Sequence, residues 1–321
     1  MAFIKNENQK GFFPYEIIFS VTDICNLKCN HCYIKKNNCK LDINATKKFL
    51  SSINLSSSES PITHIGFSGG EPFLHPTFIE EIVKTSVEND LLFDCIMTNG
   101  VWWKNQDELK ITLQKIYDAG FDGKIGISFD YFHALAYESS CKNENSNINF
   151  EKYLEKISEF CLTVFEIWQD SSMIKIQTVN YKERNHIFNP QKLIKELPDC
   201  FDYQVFTFDE SYTSDDERSW QDKKWFKEDF CSGPGQILYV HSDGRIAPCC
   251  GFANENEKLI IGNINQTFDQ VIENASKNPM IKLCYIDGLS SKIKELKKQK
   301  LLPKGKTKDN CTFCDFICKL K

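Results

Sequence analysis

The sequence predicts an α/β fold in which a parallel sheet curves into a partial barrel with helices on its outside. Short β-rich runs alternate with amphipathic stretches: "YEIIFSVTD", "THIGFSGG", "FDCIMTNG", "GKIGISFD", "MIKIQTV" and "FDYQVFTF". A strand–helix–strand pattern repeated about six times is typical of a parallel sheet, because each helix returns the chain to the same edge. Right-handed crossovers then curve the sheet into a full or partial barrel.

The helical stretches lie between these runs, in "ATKKFLSSI", "HPTFIEEIVKTSVE" and "DELKITLQKIYDAG". After about residue 215 the pattern changes. "GQILYVHSDGRIAPCC" predicts a β-hairpin that turns at Ser-Asp-Gly, and a helix, a charged linker and a cysteine-rich end follow. We therefore predict two domains, the barrel over residues 1–215 and a smaller cysteine-rich domain over residues 216–321.

Composition narrows the function classes. The chain has 321 residues, is 41% hydrophobic and 26% charged, and carries a net charge of −5. The charge argues against nucleic acid and anionic membranes as partners. We expect a cytoplasmic protein, because no apolar run could span a bilayer and "MAFIKNENQK" lacks a signal peptide core. In a reducing compartment, clustered cysteines among the 15 indicate metal or redox sites, and isolated ones such as Cys95, Cys161 and Cys200 indicate buried apolar positions.

Small or polar residues end most of the predicted strands, where parallel barrels carry their sites. These residues are Thr22, Asp23, Ser68, Gly69, Gly70, Asn99, Gly100, Ser128 and Asp130. The segment "CNLKCNHCY" follows the first strand and places three cysteines in a C-x3-C-x2-C pattern. Three thiolates suit an iron–sulfur cube with one open iron, whereas a zinc knuckle would need a distant fourth ligand.

The next strand ends in "GFSGGEP", residues 66–72. Its paired glycines allow the backbone to approach a ligand closely, and Glu71 can accept a hydrogen bond from an ammonium group. A zinc knuckle has no need of such a loop, so the pair of motifs favours a cluster that binds a small molecule.

Together the two motifs resemble those of the radical S-adenosylmethionine (SAM) superfamily, whose fold is a partial (β/α)6 barrel. The resemblance implies that Cys25, Cys29 and Cys32 hold a 4Fe-4S cluster whose fourth iron is chelated by SAM. It also implies SAM contacts, with Tyr33 at the adenine, Ser68, Gly69, Gly70 and Glu71 at the methionine end, and Ser128 and Asp130 at the ribose. The implied chemistry is one-electron cleavage of SAM to a 5′-deoxyadenosyl radical, with a flavodoxin or ferredoxin as electron donor.

The C-terminal cysteines form a second group, in "CSGPGQILYVHSDGRIAPCC" and "CTFCDFIC". This part resembles the SPASM and shorter twitch extensions of radical SAM enzymes, although the full SPASM pattern has more cysteines. The resemblance implies one auxiliary 4Fe-4S cluster on Cys231, Cys249, Cys311 and Cys314. A structural zinc on the same thiols is the alternative. Cys318 is a spare or exchange ligand in this interpretation, and Cys284 a structural residue.

Cys250 is adjacent to a predicted ligand, and adjacent residues at a strand end point in different directions. The set "TNGVWW", "SFDYFHA", the hairpin and "CTFC" resembles radical SAM peptide epimerases, which convert L-residues to D-residues in ribosomally made peptides. This resemblance implies that Cys250 returns a hydrogen atom to the substrate Cα radical. The alternative is a buried apolar cysteine. His133 either borders the peptide cleft or is a structural histidine.

Other functions stay open from the sequence. A radical SAM enzyme that forms a thioether or carbon–carbon crosslink in a peptide would leave Cys250 structural. More distant alternatives are an enzyme acting on a small molecule, tRNA or a protein side chain, and a non-enzymatic metal-binding protein. Residues 1–14 are too few for a leader-binding module, so we expect the precursor peptide to be recognised by the catalytic domain or a partner.

Overall fold

A computed structural model describes residues 11–56, 62–141, 150–184, 186–227, 230–231 and 236–320. Residues 1–10, which the sequence predicts to lack a signal peptide core, lie outside this part. Nine strands of the described residues form one sheet in the order β6-β5-β4-β3-β2-β1-β7-β8-β9. They are β1 Glu16–Ser20, β2 His64–Ser68, β3 Leu92–Thr98, β4 Lys124–Ser128, β5 Ile174–Asn180, β6 Gln204–Asp209, β7 Ile237–Val240, β8 Arg245–Ala247 and β9 Gly262–Asn263.

Neighbouring strands from β1 to β6 pair in parallel, as the alternating pattern predicts. β7 joins the sheet beside β1, also in parallel, and β8 and β9 continue it antiparallel. The β7–β8 connection is the predicted hairpin, and Gly244 supplies the positive φ of +87° at its turn. The predicted fold class, an α/β partial barrel, is confirmed. The domain boundary between residues 215 and 216 stays a prediction.

The α-helices return the chain between strands and cover the sheet. They are α1 Ile43–Asn54, α2 Pro76–Glu88, α3 Gln106–Asp118, α4 Tyr131–Ser140, α5 Glu151–Trp168, α6 Pro190–Leu193, α7 Phe268–Lys277, α8 Pro279–Lys282, α9 Leu289–Gln299 and α10 Asn310–Lys319. Local sequence sets several of their first residues. Asp42 caps α1 by accepting from the Ala45 amide, and Asn105 caps α3 by accepting from the Glu108 amide.

The two faces of the parallel sheet differ in chemistry. One face is apolar and fully buried in the core; it includes Ile17, Phe19, Ile65, Phe67, Ile96, Ile125, Ile127, Ile174 and Ile176. The strand register places a more polar, partly open set on the opposite side, which we call the inner face. It comprises Glu16, Ile18, Ser20, Gly66, Ser68, Cys95, Met97, Gly126, Ser128, Lys175, Gln177, Val179, Gln204, Phe206, Phe208, Ile237 and Tyr239.

The residues beyond β9 pack against the hairpin and the barrel. α7 contacts α1, and α10 contacts the short helical turn Phe252–Glu255 that follows the hairpin. A π-helical turn, Leu283–Asp287, lies between α8 and α9. None of the helices in the described ranges combines the length and the apolar character that a bilayer crossing requires.

Candidate functional site

The three N-terminal cysteines lie in a loop, residues 24–38, which we call the cysteine loop. It begins where β1 ends and is closed at its base by two buried polar residues. The Thr22 hydroxyl donates to the Cys39 carbonyl at 2.7 Å, and the Asp23 carboxylate accepts from the amides of Asn37 and Cys39 at 2.9 Å each. These bonds hold the loop at the C-terminal edge of the sheet, where the sequence predicts the site.

Gly69 and Gly70 pack against the backbone that leads into the cysteine loop. The Gly70 amide donates to the Thr22 carbonyl at 2.6 Å, and the Glu71 amide donates to the Ile24 carbonyl at 2.8 Å. A Cβ on Gly70 would lie 2.2 Å from the Ile24 carbonyl oxygen, and Gly69 has a φ of +129°. The paired glycines therefore allow two backbone segments to pack closely together. The sequence predicts a close approach of this backbone to a ligand, and that contact stays a proposal.

The Glu71 carboxylate is fully buried and joins the ends of β2 and β3. It accepts from the Thr98 hydroxyl at 2.8 Å and from the amides of Asn99 at 2.8 Å and Phe73 at 3.2 Å. Burial raises its pKa to about 7, although these bonds oppose the shift. With these three protein partners, the Glu71 side chain links the segment after β2 to the end of β3. Its contact with SAM stays a proposal.

Asn99 links β3 to the cysteine loop, a role that the sequence analysis did not assign. Its side-chain amide donates to Asn26 Oδ1 at 2.8 Å and lies 3.7 Å from Cys25 Sγ, and its oxygen accepts from the Val101 amide. Asn26 in turn donates to the Val101 carbonyl at 3.1 Å. The position of Asn99 at a strand end was the available signal.

Asp130 caps α4 and holds His133 beside the cysteine loop. Its carboxylate accepts from His133 Nδ1 at 2.8 Å and from the Phe132 and His133 amides. Burial alone would raise the Asp130 pKa, but the charge and hydrogen bond of His133 hold it at about 2. His133 also contacts Cys29, and His31 Nε2 lies 4.0 Å from Asp130. The observed partners of the Asp130 carboxylate are thus His133 and the amides at the start of α4. Its predicted contact with the ribose of SAM stays a proposal.

Ser128 lies on the inner face, beside Gln177 in the strand register. Its carbonyl accepts from the Tyr153 hydroxyl at 3.1 Å. Ser68 ends β2 on the same face, opposite Ser20 of β1. Both serines therefore border the C-terminal edge of the inner face, together with the glycine pair.

Five thiols line one cavity beneath the hairpin: Cys231, Cys249, Cys284, Cys311 and Cys314. None of the five forms a disulfide. The Sγ atoms of Cys284 and Cys314 are 4.0 Å apart, and Cys318 contacts Cys314. The four predicted ligands thus converge, and Cys284, predicted to be structural, joins them from the π-helical turn.

Thiolates are the ligands that iron–sulfur clusters require; five thiols line the cavity together, and the cysteine loop carries three within one short segment, so the residue types of both sites fit such groups. A single cysteine in a helical stretch gave no sequence signal for Cys284, because long-range packing alone brings it to the cavity.

Cys249 and Cys250 have different surroundings. The neighbours of Cys249 include Cys231 and Cys311, and burial together with these thiols raises its pKa. Burial raises the pKa of Cys250 to about 12, and the charges of Glu16 and Cys231 add to this shift. Tyr33 connects Cys250 to the cysteine loop, because its hydroxyl donates to the Cys250 carbonyl at 3.1 Å.

The directions of β7 and β8 determine where the chain goes after the hairpin. β8 runs antiparallel to β7, with Ala247 opposite Tyr239, so the chain leaves β8 toward the N-terminal ends of the parallel strands. The chain therefore leaves β8 in the direction away from the edge that carries Gly69 and Gly70, while the Tyr33 hydrogen bond keeps Cys250 in contact with the cysteine loop. Glu16, at the start of β1, marks that lower end of the inner face.

Two family models match the chain. The radical SAM superfamily model covers residues 19–163, and the SPASM model, an iron–sulfur cluster-binding domain, covers residues 231–315. These matches contain the cysteine loop, the glycine pair and all five cavity thiols, Cys284 among them. The predicted resemblance is confirmed at the level of both domains.

Two curated proteins are similar in sequence to this chain. A protein of Methanococcus maripaludis described as a GTP 3′,8-cyclase is 29% identical over 148 residues, 46% of this chain and 47% of that protein. The chain thus spans about half the length of this curated relative. YydG of Bacillus subtilis (strain 168), assigned to peptide biosynthesis, is 22% identical over 269 residues, 80% of this chain and 76% of YydG.

A solved structure of anSMEcpe with bound AdoMet and Cp18Cys peptide superposes with a TM-score of 0.55 at 17% identity, covering 85% of this chain and 88% of that one. At this identity the likeness shows the fold. The two family matches confirm SAM and 4Fe-4S clusters as the cofactors. The chain therefore combines a radical SAM domain with a SPASM iron–sulfur cluster-binding domain.

Proposed function

We propose that this protein is a radical SAM enzyme that converts L-residues to D-residues in a ribosomally made precursor peptide. The relative YydG is assigned to peptide biosynthesis, and the fold relative anSMEcpe was solved with a bound peptide. The observation that carries the proposal is the placement of Cys250. Among the described residues, Cys249 lines the thiol cavity and Cys250 does not, and the Cys250 carbonyl accepts from the Tyr33 hydroxyl of the cysteine loop at 3.1 Å.

The cysteine loop supplies Cys25, Cys29 and Cys32 for the SAM-binding cluster. When bound there, SAM supplies the 5′-deoxyadenosyl radical that removes a Cα hydrogen atom. Asn99 and the glycine pair hold the loop in place, through the Asn99–Asn26 bond and the backbone bonds to Thr22 and Ile24. We assign Tyr33, Ser68, Gly69, Gly70, Glu71, Ser128 and Asp130 to the surroundings of SAM at this edge.

Cys250 completes the inversion in this proposal. A peptide on the inner face lies between the C-terminal edge and Cys250, so hydrogen leaves from one side of the Cα and returns from the other. The Cys250 S–H bond breaks, a new Cα–H bond forms, and the thiyl needs one electron and one proton to be restored. Cys231, Cys249, Cys311 and Cys314 hold the auxiliary cluster next to it, and an external flavodoxin or ferredoxin provides electrons.

The test is mass spectrometry in heavy water. The protein is reconstituted anaerobically and incubated with SAM, a reductant and a candidate peptide encoded beside the gene. A thiol exchanges its proton with solvent, so each inverted residue should gain one deuterium, and hydrolysis should release D-residues. Cys250→Ala should abolish the label while SAM cleavage continues. Cys161 is another buried cysteine and lies on helix α5. Cys161→Ala is therefore the matched control and should keep the label.

The opposite result has a clear meaning. A peptide that loses two hydrogens without gaining deuterium has been crosslinked, and epimerisation is then rejected. A peptide that is unchanged, with SAM still cleaved, would remove the peptide substrate from the proposal. The cysteines must stay reduced to act as ligands or hydrogen donors. This requirement is consistent with the cytoplasmic location that the sequence predicts.

A further inference from the structure

β6 is a regular strand whose side chains are left uncovered. All six of its residues pair one for one with β5, from Lys175–Gln204 to Asn180–Asp209. Nevertheless, each residue of β6 is exposed, including Val205 at 37%, Phe206 at 44% and Phe208 at 50%. In the described ranges, no other strand pairs with its second edge.

An edge of this kind is normally protected. Every second residue of a strand in a parallel pair turns its amide and carbonyl away from the neighbouring strand, so among the described residues the second edge of β6 offers unpaired donors and acceptors. Apolar side chains on a long open edge promote association with another chain, and folded proteins usually cover or charge them. The three apolar residues of β6 therefore indicate that a binding partner covers this edge.

The exposed aromatic rings belong to the inner face. Phe206 lies opposite Gln177 and Phe208 opposite Val179 in the register, and Lys175 Nζ lies 4.9 Å from the Phe206 ring centroid. Gln177 is paired in turn with Ser128, at the edge that carries the cysteine loop. The surface formed by β6 is thus continuous with the surface on which we place the substrate.

We propose that β6 binds an extended segment of the precursor peptide as an added strand, with apolar side chains of that segment against Phe206 and Phe208. This inference rests on the proposed function and names where the peptide is held. Six residues of strand span about 20 Å, enough to guide a peptide along the inner face from one end to the other. Backbone hydrogen bonds would supply affinity, and the two rings would select apolar side chains.

A second copy of this chain is a less suitable occupant. Pairing of two β6 strands would close the open side of the sheet and block a peptide from the inner face where Cys250 and Glu16 lie. An extended peptide covers the same edge and still reaches the site. Strand addition also suits a substrate made by the ribosome, because it uses backbone groups that every sequence provides.

The experiment measures peptide binding apart from catalysis. The anaerobically reconstituted protein is titrated into a fluorescently labelled synthetic peptide with the sequence encoded beside the gene, and anisotropy gives the Kd. Phe206→Ser combined with Phe208→Ser should weaken binding about tenfold or more, because two apolar contacts are lost. Ile111→Ser, an exposed apolar residue on α3, is the matched control and should leave the Kd unchanged. SAM cleavage without peptide should be equal in all three proteins and shows that they are folded.

A second series tests the backbone pairing. Peptides carrying one N-methyl group should lose binding at alternate positions of the bound segment and retain it at the positions between, which is the signature of a strand. Equal Kd values for the β6 variant and the control, or no alternation, would overturn the inference while leaving epimerisation intact. A β6 variant that changes from dimer to monomer would assign the edge to a second copy instead. No binding of the peptide by the wild type would reject the proposed function itself.

Discussion

Replacing Glu16 with glutamine should change the pH dependence of stability. Glu16 begins β1 on the inner face and is 7% exposed, and its Oε1 has no hydrogen-bond partner in the described ranges. Burial raises its pKa from 4.5 to about 7; Asp94 adds to the shift and Lys175 opposes it. The charge of Glu16 also raises the pKa of Tyr15, Cys95 and Cys250. The free-energy cost of ionising Glu16 in the folded protein can therefore be measured from the pH dependence of unfolding.

The sign follows from proton binding. Between pH 4.5 and 7 the folded state holds a proton on Glu16 that the unfolded state has lost, so stability falls as pH rises through this window. The favourable contribution is complete below the unfolded pKa. A gap of about 2.5 pKa units corresponds to at most about 3 kcal/mol, lost once the pH exceeds the folded pKa. A glutamine stays neutral throughout and removes this loss.

Urea unfolding under anaerobic conditions at pH 5 and pH 8 measures the effect. At pH 5 the wild type and Glu16→Gln should have similar free energies of unfolding. At pH 8 the variant should be more stable, by up to about 3 kcal/mol. Glu155→Gln, at an exposed position of α5, serves as the control and should follow the wild type at both pH values. If Glu16→Gln also follows the wild type at both, Glu16 is not the buried acid that its surroundings indicate.

Three further changes test the site. Gly70→Ala should destabilise the protein by about 3 kcal/mol or more in thermal or urea unfolding, because the new Cβ would lie 2.2 Å from a backbone carbonyl; unchanged stability would contradict the close backbone approach. Asn99→Ala should cost about 2 kcal/mol through its lost buried hydrogen bonds and should release iron from the cysteine loop faster under a chelator; iron retention equal to the wild type would reject this role. Cys249→Ser, Cys311→Ser and Cys314→Ser together leave two thiols in the cavity, fewer than a cluster needs, and should lower the iron content by about four atoms per chain, whereas Cys161→Ser should not. Iron loss in both proteins would point to general unfolding.

Local patterns were enough to predict the fold and the placement of the first site. The alternation of apolar runs and amphipathic stretches specifies parallel pairing, which the register from β1 to β6 reproduces. Parallel pairing in turn puts the strand ends at one edge, so Ser68 and the cysteine loop meet there without further information. The cysteine spacing is itself a local signal, because all three residues lie in one loop.

Contacts between distant segments were not predictable in the same way. The Glu71 carboxylate points to the amide of Asn99 and the hydroxyl of Thr98, and only the β2–β3 pairing brings them together. Cys284 reaches the thiol cavity through the packing of the π-helical turn against α10 residues such as Cys314. Sequence alone also gave no sign that β6 would be exposed, because "QVFTF" reads as an ordinary buried strand.

The directions of the strands explain why one small hairpin can serve two purposes. A cysteine pair at the end of a parallel strand would have met the cysteine loop at the C-terminal edge. β8 runs antiparallel, so the chain leaves it toward the other end of the sheet; Cys249 lines the thiol cavity, and Cys250 is bonded through its carbonyl to Tyr33 of the cysteine loop. Under the proposed function, a substrate on the inner face has the radical source on one side of its Cα and the Cys250 thiol on the other. Inversion at a Cα needs these two opposed positions, whereas a crosslink needs only the first, and this difference is what the Cys250→Ala label measures.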